Sequence, residues 1–189
     1  MRIHYNAPVT LTFCLACALI LLLDSTLIPS LIKTYFTTFP QFFPLDILSW
    51  VRSVGHILGH ADMAHLMGNL TYLLLLGPIL EEKYGSRDLL IMMVCTAVVT
   101  ALLNAVFLST ALHGASGIVF MFILLSSFAN RKSGTIPLTF VLLATLYLGT
   151  EVAQAFGNNN ISQFAHIVGG LTGAFFGYIA DSGKNKVDG

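Results

Sequence analysis

The sequence predicts an all-α polytopic membrane protein, a bundle of six transmembrane helices with a structured first external loop. Hydrophobic residues make up 56% of the 189 residues and charged residues only 10%, whereas a soluble domain carries roughly 25% charged residues. The apolar residues fall in long runs, and about 20 helical residues span a bilayer core. The net charge is zero and basic residues are scattered, which argues against a nucleic-acid partner.

Six apolar runs define the predicted spans of a single membrane domain, residues 1–189, which ends in a short cytoplasmic tail at 182–189. The runs cover residues 8–30, 63–80, 89–112, 115–129, 136–156 and 161–181. The fourth run is too short to cross a bilayer at about 1.5 Å per residue, so it is predicted to begin inside the membrane. Residues 31–62 are semi-apolar and aromatic, which predicts a structured loop at the membrane interface.

Lysine and arginine predict the direction in which the helices run. If six spans alternate, one side of the membrane holds Arg2, Lys83, Arg87, Arg131, Lys132, Lys184 and Lys186. The other side holds only Lys33 and Arg52. Both termini are therefore expected in the cytoplasm, with the first loop outside. No transit peptide is visible, so the predicted location is a bacterial inner membrane.

Ser116 and His166 are the candidate chemical groups in these apolar runs. Ser116 is the second residue of the short fourth run, and His166 lies about five residues into the sixth, at a comparable depth. Polar groups inside a membrane are costly and often functional, and serine with histidine can form an activated nucleophile. Irregular backbone at the start of a helix inside the membrane must be buried in protein or line a water-filled cavity, and Ser116 is predicted at the floor of a cavity open to the outside.

Small residues and a second polar pair complete the predicted site. Gly169 and Gly173 are four residues apart, which permits close packing of the sixth helix against Gly117. His65 and Asn69 are also four apart and share a helix face. Both can donate hydrogen bonds, as an oxyanion hole requires, although bonds to loop backbone are the alternative.

These motifs together resemble those of the rhomboid intramembrane serine proteases, over about residues 45–180 and in the same order. The matching segments are Gly114-Ala115-Ser116-Gly117, Ala165-His166-x-x-Gly169-x-x-x-Gly173, His65-x-x-x-Asn69, Trp50-Val51-Arg52, and Glu81 with Gly85-Ser86. Each motif alone is weakly specific, whereas the ordered set is strongly specific. Many members carry tyrosine four residues after the serine; here it is Phe120, which preserves stacking on the histidine and loses only the hydroxyl.

The resemblance implies a serine endopeptidase that cleaves transmembrane segments of other membrane proteins and needs no cofactor. Ser116 would be the nucleophile and His166 the general base. The oxyanion would be held by His65, Asn69, Gly114 and the Ser116 backbone. Gating by the fifth helix and the segment 157–162 would follow the family.

Other polar residues have structural interpretations. Trp50 belongs to the first loop, Arg52 is expected to bond loop carbonyls, His60 to anchor that loop, and Glu81 to hold the turn after the second helix. A metal site at His56, His60 and His65, with Asp62, lacks a further ligand, so no metal is predicted.

Glu151 is expected to face the cavity, with a proton or substrate pathway as the alternative. Two alternative functions are a catalytically inactive relative that binds transmembrane helices and a small transporter. The sequence lacks the paired halves of a transporter.

Overall fold

Helices account for the regular structure in the described part of the chain. The computed structural model describes residues 3–108, 110–128, 135–155 and 160–184, without the side chains of 147–155, 160–162 and 181–184. The helices are α1 Pro8–Thr26, α2 Leu31–Tyr35, α3 Ile47–Gly55, α4 Met63–Tyr84, α5 Ser86–Phe107, α6 Ser116–Ser126, α7 Leu138–Ala155 and α8 Asn160–Lys184, with a 3₁₀ turn at His56–Leu58. Within these ranges the β-pairing is a single bridge between Thr38 and Leu112. The all-helical fold class is thereby confirmed.

Three of the described helices, α1, α4 and α5, are long and apolar enough to cross a membrane. The count of six spans and their direction stay predictions. Helix α6 has only 11 residues, fewer than the predicted run 115–129. Helix α5 ends at Phe107, earlier than the predicted residue 112, because Leu112 pairs with the first loop instead of continuing the helix.

Several residues named in the sequence predictions lie outside the part of the chain that the structure describes. Arg131 and Lys132 lie outside the described ranges, as do residues 157–159 of the expected cap. The side chain of Glu151 also lies outside them.

The first loop is held together by side chains that bond its own carbonyl groups. The Trp50 indole N–H donates to the Pro44 carbonyl at 3.0 Å. The Arg52 Nε donates to the Thr34 carbonyl at 2.8 Å, and its guanidinium lies 5.0 Å from the centre of the Phe39 ring. The loop is therefore an ordered element that can position other residues.

Helix α6 forms the centre of the protein. Ile118, Met121, Phe122 and Leu125 on this helix are fully buried, which fits an 11-residue helix surrounded by the longer ones. Such a helix is apolar on every side because it meets protein on every side.

Glycines allow α8 to contact the α6 backbone. A Cβ atom added at Gly169 would overlap the Gly117 carbonyl and lie 2.9 Å from the Gly117 Cα. One added at Gly173 would lie 2.9 Å from the Met121 Cα. Small residues at such crossings let helix backbones approach closely. This packing determines the distance between α8 and the start of α6.

Glu81 near the end of α4 caps the beginning of α1. Its carboxylate accepts from the backbone N–H of Val9 and of Thr10, both at 2.9 Å. It also accepts from the hydroxyls of Thr10 at 2.8 Å and Ser86 at 2.7 Å. Gly77 leaves room for Thr10, since an added Cβ would lie 2.6 Å from the Thr10 hydroxyl. A buried carboxylate therefore joins three helices at one end of the bundle.

Candidate active site

The segment that leads into Ser116 is fixed to the first loop at two points. Thr38 and Leu112 exchange two backbone hydrogen bonds of 2.9 Å, and the Gly114 N–H donates to the His56 carbonyl at 2.9 Å. Gly114 has a φ of 126°, a conformation that glycine adopts without steric cost. Ser116 follows as the first residue of α6. Its position at a helix start is therefore set by backbone bonds outside the helix.

One cavity of about 350 Å³ brings together five residues predicted from the sequence: Ser116, His166, His65, Asn69 and Phe120. The other described lining residues are Ala64, Gly68, Tyr72 and Val119. Helices α4, α6 and α8 each contribute to the wall. A serine hydroxyl, two imidazoles and a carboxamide thus line one open cavity.

His166 is held in place by ring stacking and by close packing of its helix. Its ring is stacked on Phe120, with centroids 4.2 Å apart and planes inclined by 8°. Phe120 lies one helical turn after Ser116, on the same face of α6. A Cβ added at Gly117 would lie 3.3 Å from the Ala165 carbonyl oxygen, so the two backbones are in contact beside His166.

His65 and Asn69 supply donors from the first turns of α4. The Asp62 side chain caps this helix by accepting from the His65 N–H at 2.8 Å. The His65 ring lies against Gly114, where an added Cβ would approach its Nε2 to 2.9 Å. The Asn69 Nδ2 is buried and has no hydrogen-bond partner within the described structure. Buried polar groups are usually paired, so this donor is available to a ligand in the cavity.

His56 and His60 form a layer behind the cavity. The Nδ1 atom of His56 lies 3.1 Å from the Ser53 carbonyl, and that of His60 lies 3.2 Å from the Leu58 carbonyl. The His60 ring packs against the His65 ring with centroids 5.1 Å apart. Burial lowers the pKa of both His56 and His60 to about 4. Over the described residues, no cluster of three or more metal-ligating side chains is present.

These two buried histidines predict that the protein loses stability in mild acid. In the unfolded chain a histidine titrates near 6.5, whereas the folded protein resists protonation of His56 and His60 down to about pH 4. The unfolded state therefore binds more protons between these values, and stability falls as the pH drops from 6.5 to 4, by on the order of 3 kcal/mol per histidine at most. Thermal unfolding in detergent between pH 8 and pH 4 measures this.

A matched pair of variants isolates the effect. His60→Gln is expected to remove about half of the acid dependence, because His56 remains, while His4→Gln, at an exposed position, is expected to leave it unchanged. An unfolding temperature that is the same at pH 7 and pH 4.5 would contradict this account.

Helix α5 carries a row of buried polar residues that was not predicted from the sequence. Thr96, Thr100 and Asn104 recur every four residues and are all buried. The Asn104 amide donates to the Thr110 carbonyl at 3.0 Å, and Thr96 bonds the Thr172 hydroxyl at 3.1 Å. The row therefore holds the segment after α5 and links α5 to α8. The four-residue spacing of these polar side chains within an apolar run is the sequence pattern that could have predicted a buried polar face.

The fold and the site define a class: a helical integral membrane protein with serine and histidine in one cavity at the start of a short buried helix. Residues 48–182 match the Rhomboid domain family. The chain belongs to the rhomboid family.

Three curated relatives are similar to this chain. Rhomboid protease GlpG of Haemophilus influenzae is 27% identical over 150 residues, covering 77% of each chain. Rhomboid protease GluP of Bacillus subtilis is 31% identical over 132 residues, which are 67% of this chain and 25% of the relative. RHOMBOID-like protein 2 of Arabidopsis thaliana is 28% identical over 130 residues, which are 64% of this chain and 39% of the relative.

Proposed function

We propose that the protein is an intramembrane serine endopeptidase that cleaves transmembrane segments of other membrane proteins. The observation that carries the proposal is the single cavity shared by Ser116, His166, His65 and Asn69. Membership of a family with relatives named as proteases supports the same reaction class.

The proposed reaction passes through an acyl-enzyme. The Ser116 hydroxyl attacks the carbonyl carbon of the scissile peptide bond, and His166 takes its proton as general base. His166 then gives that proton to the leaving amine as the C–N bond breaks. Water then attacks the ester carbonyl as His166 takes its proton, the bond between the acyl carbon and the Ser116 oxygen breaks, and His166 returns the proton to that oxygen. Stacking on Phe120 restricts the orientation of the imidazole through both steps.

The negative charge on the carbonyl oxygen requires donors placed before the reaction begins. Asn69 offers a buried amide without a partner among the described residues, and His65 lies beside it on the cavity wall. The Ser116 N–H stands at a helix start, where backbone donors are unpaired, and Gly114 shapes the segment before it. Removing one such donor in another protease costs about 10²- to 10³-fold in kcat.

The cavity wall also supports a membrane-embedded substrate. Ala64, Gly68 and Tyr72 line the cavity along one face of α4, and all three are exposed. On a membrane-spanning helix, an exposed apolar face borders lipid. The cavity therefore opens sideways, where a transmembrane segment can approach.

We place the protein in a bacterial inner membrane with both termini cytoplasmic, and we assign gating to α7 and the segment 157–162.

The test is cleavage of a single-span substrate by purified protein in lipid vesicles. Ser116→Ala and His166→Ala are each expected to lower the cleavage rate by about a thousandfold or more. When catalytic groups act as a unit, removing one of them lowers the rate nearly as much as removing all of them. Ser126→Ala, on the same helix and away from the cavity, serves as the control. Cleavage that persists in both variants of the pair would disprove the assignment.

Labelling with a fluorophosphonate separates the protease from an inactive relative. Wild-type protein is expected to be labelled at Ser116, and His166→Ala protein to be labelled far more slowly. Protein that binds the substrate helix without labelling or cleavage would indicate the inactive, helix-binding relative instead.

A further inference from the structure

A second concavity, of about 770 Å³, lies between the first loop and the end of α5. Its walls are residues 40–43 of the loop and Leu102, Ala105 and Val106 of α5. Among the described lining residues, it shares none with the cavity that contains Ser116. Its volume falls in the range of sites that hold small ligands, about 300–1,000 Å³. This groove, termed the loop groove, is thus a separate candidate binding site.

The loop groove continues the lipid-facing surface of α5. Val106 is 73% exposed, and further along the same helix Val99 and Ile91 are 39% and 47% exposed. These positions share one helix face. Because α5 is long and apolar enough to span a membrane, that face borders acyl chains. The groove lies where this lipid-facing stripe runs under the first loop.

The loop side of the groove has the chemistry of a membrane interface. Phe42 contacts Trp50 edge to face, with ring centroids 4.9 Å apart, and Phe43 is 58% exposed. Aromatic residues of this kind collect at the level of lipid headgroups. Gln41 adds an exposed amide to the otherwise apolar walls. An exposed amide beside apolar walls matches the ester group and acyl chain of a phospholipid.

We propose that the loop groove binds one acyl chain of a bilayer phospholipid, with the ester region of that lipid at Gln41. The acyl chain would fill the space between Phe42 and the exposed face of α5, and its contacts would support the first loop. The same loop bonds Leu112 through Thr38, four residues before Ser116. A bound lipid would therefore be a structural ligand that helps to fix the approach to α6. This proposal does not depend on the reaction proposed above.

Photo-crosslinking tests the proposal on the full chain. The probe is a phosphatidylethanolamine with a diazirine in one acyl chain, incorporated into phosphatidylethanolamine–phosphatidylglycerol vesicles that contain the protein. One sample is irradiated in vesicles and another after transfer to detergent, and the modified residues are identified by mass spectrometry. Crosslinks at 40–43 and 102–106 are expected to persist in detergent, whereas crosslinks at Val99 are expected to be lost.

Ala105→Phe fills the groove and is expected to reduce its crosslinks in detergent to background. Val99→Phe places the same ring about two turns before Val106 on the exposed face of α5, outside the groove, and is expected to leave the groove crosslinks unchanged. Leu102→Phe is a second filling variant, used if Ala105→Phe does not fold.

Three outcomes would overturn the proposal. One is the loss of groove crosslinks in detergent to the same extent as those at Val99, which is the behaviour of ordinary surrounding lipid. Another is unchanged crosslinking in both filling variants. The third is displacement of the lipid by a single-span substrate, which would assign the groove to substrate.

Discussion

Gly169→Ala is expected to abolish cleavage and to destabilise the protein strongly, although it adds one methyl group. The added Cβ would overlap the Gly117 carbonyl and lie 2.9 Å from the Gly117 Cα. Backbone atoms cannot rotate away as a side chain can, so the helices must separate. Overpacking of this kind costs about 1–3 kcal/mol and occasionally more. Separation of α6 from α8 also moves His166 away from Ser116.

The neighbouring glycine provides a matched control for this substitution. Among the described atoms, a Cβ at Gly170 would meet just the Leu124 side chain, at 3.1 Å from its Cδ1, and that side chain can shift. The alanine also favours the helix by about 0.8–1 kcal/mol over glycine, so Gly170→Ala is expected to be near neutral. Unfolding curves in detergent and cleavage rates measure both variants. Equal behaviour of the two would contradict the packing described here.

Sequence patterns predict the helices and the principal site residues for a physical reason. A membrane span requires a long apolar run, so hydropathy alone marks α1, α4 and α5. A hydroxyl and an imidazole in such runs stand out because their burial is costly, which is how Ser116 and His166 are found. The glycine repeat of α8 indicates a close helix crossing, and the structure places that crossing at Gly117.

Long-range backbone contacts could not be predicted in the same way. The end of α5 at Phe107 depends on pairing between Thr38 and Leu112, which lie 74 residues apart in the sequence and carry no pairing motif. The approach of His65 to Gly114 likewise depends on where the first loop places the segment before α6. The repeat of Thr96, Thr100 and Asn104 at a spacing of four marks one buried face of α5, but the repeat does not identify Thr110 and Thr172 as the partners of that face.

Glu81→Gln is expected to destabilise the protein without changing any residue of the proposed site. The carboxylate accepts four hydrogen bonds from Val9, Thr10 and Ser86 through two oxygens. Glutamine has one accepting oxygen, and its amide nitrogen would face donors. Glu81 is 5% exposed, so water does not readily replace the lost acceptor. Buried donors without partners cost about 1–3 kcal/mol each, so a loss of roughly 3 kcal/mol or more is expected.

Glu82→Gln is the matched control, because Glu82 is exposed on the next position of the same helix. Ser86→Ala removes one of the four bonds and is expected to cost about 1 kcal/mol. Unfolding of the purified protein by sodium dodecyl sulfate in mixed micelles measures the three variants together. The expected order of destabilisation is Glu81→Gln, then Ser86→Ala, then Glu82→Gln. If Glu81→Gln is as stable against sodium dodecyl sulfate as Glu82→Gln, the cap of α1 contributes little to stability. The position of α1 must then come from apolar packing alone.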